Sequence, residues 1–78
     1  MFYGYCFPEE DGWHTPKIEL NDPSEVWSYL RLQKKIFEEV RVTDVDDFTV
    51  AHALHGKIVF PPEWADMDEK IDKARAAR

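Results

Sequence analysis

Asn21-Asp22-Pro23-Ser24-Glu25-Val26-Trp27-Ser28-Tyr29-Leu30-Arg31-Leu32-Gln33-Lys34-Lys35-Ile36-Phe37 is the stretch that decides the fold, because a helix start is written out in it residue by residue. Asp22 stands at the N-cap, Pro23 at the first helical position and Glu25 at the third. An aspartate side chain accepts from one of the backbone N–H groups that a helix start leaves without a partner, and proline has no N–H to lose there. Glu25 is placed to reach back as in a capping box, and both carboxylates sit at the positive end of the helix dipole. Val26, Tyr29, Leu30, Ile36 and Phe37 then recur at helical spacing, with Gln33 filling the gap and Val40 at the limit. Trp27 and Leu32 lie off this stripe. The spacing predicts a helix over 23–37 that buries the stripe, Phe37 included.

The segments on the N-terminal side read as strands. Met1–Phe7 is aromatic and carries Gly4, a poor helix former. Pro8-Glu9-Glu10-Asp11-Gly12 is polar with turn residues at both ends and predicts the loop of a hairpin. Trp13–Leu20 supplies the return strand, with Ile18 and Leu20 on one face and Lys17 and Glu19 on the other. Pro16 suits an edge or a bulge there.

On the C-terminal side, Val40–Thr43 alternates as a strand and Asp44-Val45-Asp46-Asp47 is a turn. Phe48–His55 fits a strand with Phe48, Val50, His52 and Leu54 on one face, or a helix capped by Asp44. Thr49, Val50 and the His55-Gly56 pair before Lys57–Phe60 favour the strand and a tight hairpin. Pro61-Pro62 ends the last strand, and Pro62 is placed to open a helix with Trp64, Met67, Ile71 and Ala74 on one side, a stripe expected to dock onto the chain's own core. Asp66/Lys70 and Glu69/Lys73 are favourable i,i+4 pairs and Asp68/Asp72 is not. From Asp66 on, little is left to bury. The expected architecture is α+β: one domain over 1–65, a β-β-α-β-β-β antiparallel sheet packed on one helix in two layers, then a charged tail or frayed short helix over 66–78.

A chain of 78 residues holds one small core, and its 44% apolar content with eleven aromatics supplies one without a disulfide or metal. Cys6, the single cysteine, lies in an apolar run and reads as a small core residue, not a secreted disulfide framework. No apolar stretch approaches the roughly 20 residues of a membrane span, and the aromatic, then acidic, N-terminus lacks a signal peptide's basic region, so a cytoplasmic protein is expected. The net charge is −6. Lys70, Lys73, Arg75 and Arg78 against Asp72 give residues 70–78 a charge of +3, which leaves −9 on the first 69. Such a body repels phosphates, so direct nucleic-acid binding is disfavoured and a basic protein surface is the favoured partner.

No catalytic set stands out. His52 and His55 could share a metal on a helix but diverge on a strand, and no cysteine or carboxylate pair completes a site at recognised spacing. Cys6 sits among Tyr5, Phe7, Glu9 and Glu10, which disfavour a thiolate. Asp44, Asp46 and Asp47 match only the start of a calcium loop. Gly4, Gly12 and Gly56 form no phosphate-binding loop. No cofactor is expected. The function that best fits is a small non-enzymatic binding or accessory protein for a basic partner. An inhibitor or regulator of the kind phages and mobile elements encode is one version. The binding residues would be Glu9, Glu10, Asp11, Asp44, Asp46 and Asp47, with Trp13 or Trp64 as an aromatic anchor. The alternatives are a metal-binding or catalytic domain using His14, His52, His55 and Cys6, and a homo-oligomer that pairs a strand edge or the Trp64–Ala74 helix with its twin.

Overall fold

A computed structural model describes residues 1–8 and 13–76. The elements in chain order are β1 (Phe2–Phe7), β2 (Ile18–Leu20), α1 (Pro23–Gln33), β3 (Glu39–Asp44), β4 (Thr49–Leu54), β5 (Lys57–Phe60) and α2 (Pro62–Ala76). The strands form one antiparallel sheet in the order β2-β1-β3-β4-β5, giving a small α+β domain. Helix α1 crosses over β1 to bring the chain from β2 to β3.

The start of α1 is built as its sequence dictates. Asp22 Oδ1 accepts from the Glu25 amide at 2.9 Å. Glu25 Oε2 accepts from the Asn21 amide at 2.7 Å, one residue before the N-cap. Val26, Tyr29 and Leu30 are buried. The helix closes at Gln33 and not at Phe37, because the Gln33 carbonyl takes the amides of both Ile36 and Phe37 and turns the chain out. Ile36 is therefore exposed and off the stripe, while Phe37 still packs half-buried against the core.

The return strand β2 is shorter than 13–20. Before it, the chain is fastened to β1 by a backbone bond from Thr15 to the Cys6 carbonyl and by Thr15 Oγ1, which accepts from the Cys6 amide. Segment 48–55 holds the strand β4 and not a helix. His55 and Gly56, with φ of 51° and 81°, make the two-residue turn to β5 that suits strand twist.

One face of the sheet carries Gly4, Cys6, Val40, Val42, Ala51, Ala53 and Ile58, all buried. Alternation along each strand puts them on one side, and α1 lies on that side. The Tyr29 ring sits where a Cβ on Gly4 would be, 2.5 Å from the position such an atom would occupy. Helix α2 joins the same layer beside β5, its Trp64 ring edge-on to Trp27 with centroids 5.3 Å apart.

Two expectations for the C-terminal stretch are corrected. The helix opened by Pro62 runs on to Ala76, and Asp68 within it is 2% exposed. Its inward side is Trp64, Ala65, Asp68 and Asp72, while Met67 and Ile71 face solvent. The reason is Lys34, whose ammonium is buried and lies 2.9 Å from Asp68 Oδ2 and 2.6 Å from Asp72 Oδ2. Arg31 reaches the same two carboxylates. Asp68 also accepts from the Ile58 amide of β5, and Lys34 donates to the Gly56 carbonyl. The Asp68/Asp72 pair, unfavourable within its own helix, is held by two cations of α1 and its C-cap.

Candidate binding face on the uncovered side of the sheet

Both helices share one side of the sheet, and no helix among the described residues lies on the other. Alternation from Gly4 and Cys6 places Tyr3, Tyr5 and Phe7 there. The register sets Tyr5 beside Arg41, Arg41 beside His52 and His52 beside Phe60. The next rows set Phe7 beside Glu39, Glu39 beside Leu54, and Tyr3 beside Thr43. Lys17 from the segment before β2 places its ammonium 4.6 Å from the Tyr3 ring centre.

A cup of about 290 Å³ opens on this face, lined by Tyr5, Phe7, His14, Arg41, Thr43 and Asp47. The His14 ring stands edge-on to Tyr5 and Phe7, with centroids 5.3 and 5.6 Å away. The Arg41 guanidinium lies 5.4 Å from the Phe7 ring centre and gives Nη2 to Glu39 at 2.7 Å. His52 Nε2 meets the same Glu39 oxygen at 2.8 Å. Burial pushes the Glu39 carboxyl up, but hydrogen bonds from His52 and Arg41 outweigh it and hold the group below the usual carboxylate range. Glu39 is thus ionised at neutral pH and neutralises Arg41. Thr43 is buried beneath the cup, and its hydroxyl oxygen has no hydrogen-bond partner among the described residues.

The β3–β4 turn forms one wall. Asp44 Oδ1 accepts from the amides of Asp46 at 2.9 Å and Phe48 at 3.1 Å, which fixes the turn. Asp47 has φ of 67°, a left-handed conformation that aspartate tolerates better than most residues. Asp47 closes the cup; Val45 and Phe48 at the tip are exposed. The arrangement offers aromatic sides, a carboxylate that makes no ion pair among the described residues, and a neutralised guanidinium. Such a surface can receive a side chain that is flat or has an alkyl stem and carries a hydrogen-bond donor or a positive charge.

The residues singled out in the sequence fall in several places. Asp44, Asp46 and Asp47 lie together in the β3–β4 turn; of the three only Asp47 lines the cup, and Asp44 is committed to the turn. Glu9, Glu10 and Asp11 lie outside the described residues. Trp13 is exposed. Trp64 is a half-buried packing partner of Trp27 and not an open anchor. The histidines and Cys6 do not converge. His52 is bound to Glu39, His55 Nδ1 meets Glu38 at 3.0 Å, and His14 Nδ1 meets the Thr15 carbonyl. Cys6 lies on the helix side with its sulfur 3.1 Å from the Tyr29 hydroxyl. Among the described residues no three His, Cys, Asp or Glu side chains form a metal-holding group. Tyr5, Phe7, Arg41 and Thr43 were not singled out. Their signal was the alternation of β1 around Gly4 and Cys6, which leaves the large aromatics on the side away from the helix. No helix among the described residues is long and apolar enough to cross a membrane. Comparison of the chain with protein-family models, with curated proteins and with solved structures finds no match.

Proposed function

We propose that the chain is a non-enzymatic binding protein that takes a basic segment of a protein partner across the uncovered sheet face, beside the acidic β3–β4 turn. One observation carries this reading: Asp47 of the acidic turn lines the same cup as Tyr5 and Phe7. The turn and the aromatic face are therefore one surface. A lysine or arginine stem packs on aromatic rings while its charge meets a carboxylate, a contact worth about 0.5–2 kcal/mol at each ring. The net charge of −6 draws such a partner in and keeps nucleic-acid phosphates away. A regulator or inhibitor that occupies a basic surface of its target is the role that fits.

The test uses a labelled peptide of mixed arginine and lysine with a glutamate-rich control, titrated into ¹⁵N-labelled protein at low salt. Shifts are expected at Tyr5, Phe7, Arg41 and Asp47. The Asp44→Asn, Asp46→Asn, Asp47→Asn triple variant should fold normally and bind more weakly, chiefly through a slower on-rate, with the difference shrinking as salt rises. Equal binding by the triple variant, shifts confined to the helices, or no binding of the basic peptide at low salt each overturns the reading.

A further inference from the structure

Helix α2 turns its carboxylates toward the protein and its apolar stripe toward water. Asp68 is 2% exposed while Met67 is 45% and Ile71 37% exposed. Leu32 on the outer side of α1 is exposed as well. A helix of this kind has satisfied its ionic side internally through Lys34 and Arg31 and leaves Met67 and Ile71 uncovered among the described residues.

We propose that this stripe is the interface of a two-fold dimer, in which α2 packs antiparallel against α2 of a second copy with the axis at Met67. The charge pattern of the helix selects the occupant. Glu63, Asp66 and Glu69 lie in its first part and Lys70, Lys73 and Arg75 in its second. A uniformly basic partner meets repulsion from the second part and a uniformly acidic one from the first. An antiparallel copy of the same helix meets neither, because each acidic part faces a basic part. The sequence also closes on itself in one register. With Met67 against Met67 of the other copy, helical spacing brings Ile71 alongside that contact and sets Glu63 against Lys70, each occurring twice, as an isologous contact requires. The existing Asp66–Lys70 and Glu69–Lys73 contacts, both 3.1 Å, are exposed and leave these lysines mobile enough to swing to a facing carboxylate. The proposed partner-binding face lies on the opposite side of the sheet, so the dimer presents two such faces outward.

The experiment is sedimentation equilibrium of the full chain from micromolar to millimolar concentration, with circular dichroism to check each variant's fold. The parent should pass from monomer to dimer. Met67→Glu should remain a monomer throughout. Glu63→Lys and Lys70→Glu should each weaken association by about tenfold or more, and their combination should restore it, as close interfacial charge pairs do. Met67→Cys, which keeps a small apolar side chain, should form an intermolecular disulfide under mild oxidation, and Ser24→Cys at the start of α1 should not. A parent that stays monomeric at millimolar concentration, a dimer indifferent to Met67→Glu, or a combined charge variant no better than either single one overturns the proposal.

Discussion

Replacing Asp68 by alanine removes the acceptor that Lys34, Arg31 and the Ile58 amide share. The Lys34 side chain is 1% exposed and that of Asp68 3%, so water does not take the lost partner's place. Breaking a buried ion pair from one side costs about 3–5 kcal/mol. Leaving the Ile58 amide without its acceptor adds about 1–3 kcal/mol. Asp72, still 2.6 Å from Lys34, recovers part of this. The expected loss is therefore about 3–5 kcal/mol, against a total stability of about 5–15 kcal/mol for a small domain. Urea unfolding followed by tryptophan fluorescence is the assay, since the Trp27–Trp64 pair stands beside the cluster. Lys34→Met alone should cost a similar amount, because two aspartates then share Arg31. The combination Lys34→Met, Asp68→Leu should recover the part of the loss due to the broken ion pair, since an apolar pair of similar volume replaces it at little cost, while the Ile58 amide and the Gly56 carbonyl stay without their partners. If Asp68→Ala unfolds within about 0.5 kcal/mol of the parent, the level of an ordinary surface substitution, the cluster does not hold α2 and the argument fails.

Other outcomes follow from the same contacts. Gly4→Ala should destabilise by about 1–3 kcal/mol, because the new methyl must displace the buried Tyr29 ring; an unchanged urea midpoint would show that the ring moves freely. Burial pushes the Cys6 thiol up and outweighs its hydrogen bonds to Tyr29 and Thr15, so thiol reagents should label it slowly at pH 8 and quickly only in denaturant. The Lys34 ammonium, hydrogen-bonded to Asp72 and aided by the charges of Arg31 and Lys35, holds that carboxyl below the usual aspartate range. A carboxylate depressed in the folded state stabilises fully above its unfolded pKa and loses that contribution as pH falls through its folded one. Stability should therefore drop below about pH 4, less steeply in Asp72→Asn, as urea midpoints across that range would show.

The α+β class and the strand segments were legible because local chemistry and tertiary packing agree in them. Asp22, Pro23 and Glu25 start α1 by bonds made within five residues, and His55-Gly56 makes its turn by backbone conformation alone. The far end of α1 was not legible, because Ile36 and Phe37 keep helical spacing while Lys34 is drawn to carboxylates distant in the chain. The inward side of α2 was misread for the same reason. Apolar periodicity selects Met67 and Ile71, and only the position of Lys34 and Arg31 in space makes Asp68 a buried residue. At the candidate site, the acidic turn was legible as a cluster. Its union with Tyr5, Phe7 and Arg41 depends on which sheet face the helices leave bare, and alternation within single strands does not say which face that is.

The strand order carries a consequence for how the molecule assembles. Strands β3, β4 and β5 follow one another along the chain and pair as a meander, so their contacts close short loops at low entropic cost. Strand β1 has to find β3 across the whole of β2 and α1, with Phe2 meeting Asp44 and Phe7 meeting Glu39. Such distant pairing is the slow part of folding a small domain. Tyr5 and Phe7 belong to the strand that joins by this distant pairing, while Arg41, Thr43 and Asp47 belong to the meander it joins. The cup therefore exists only where this long-range pairing has closed, and a chain without it carries the acidic turn without the aromatic wall beside it.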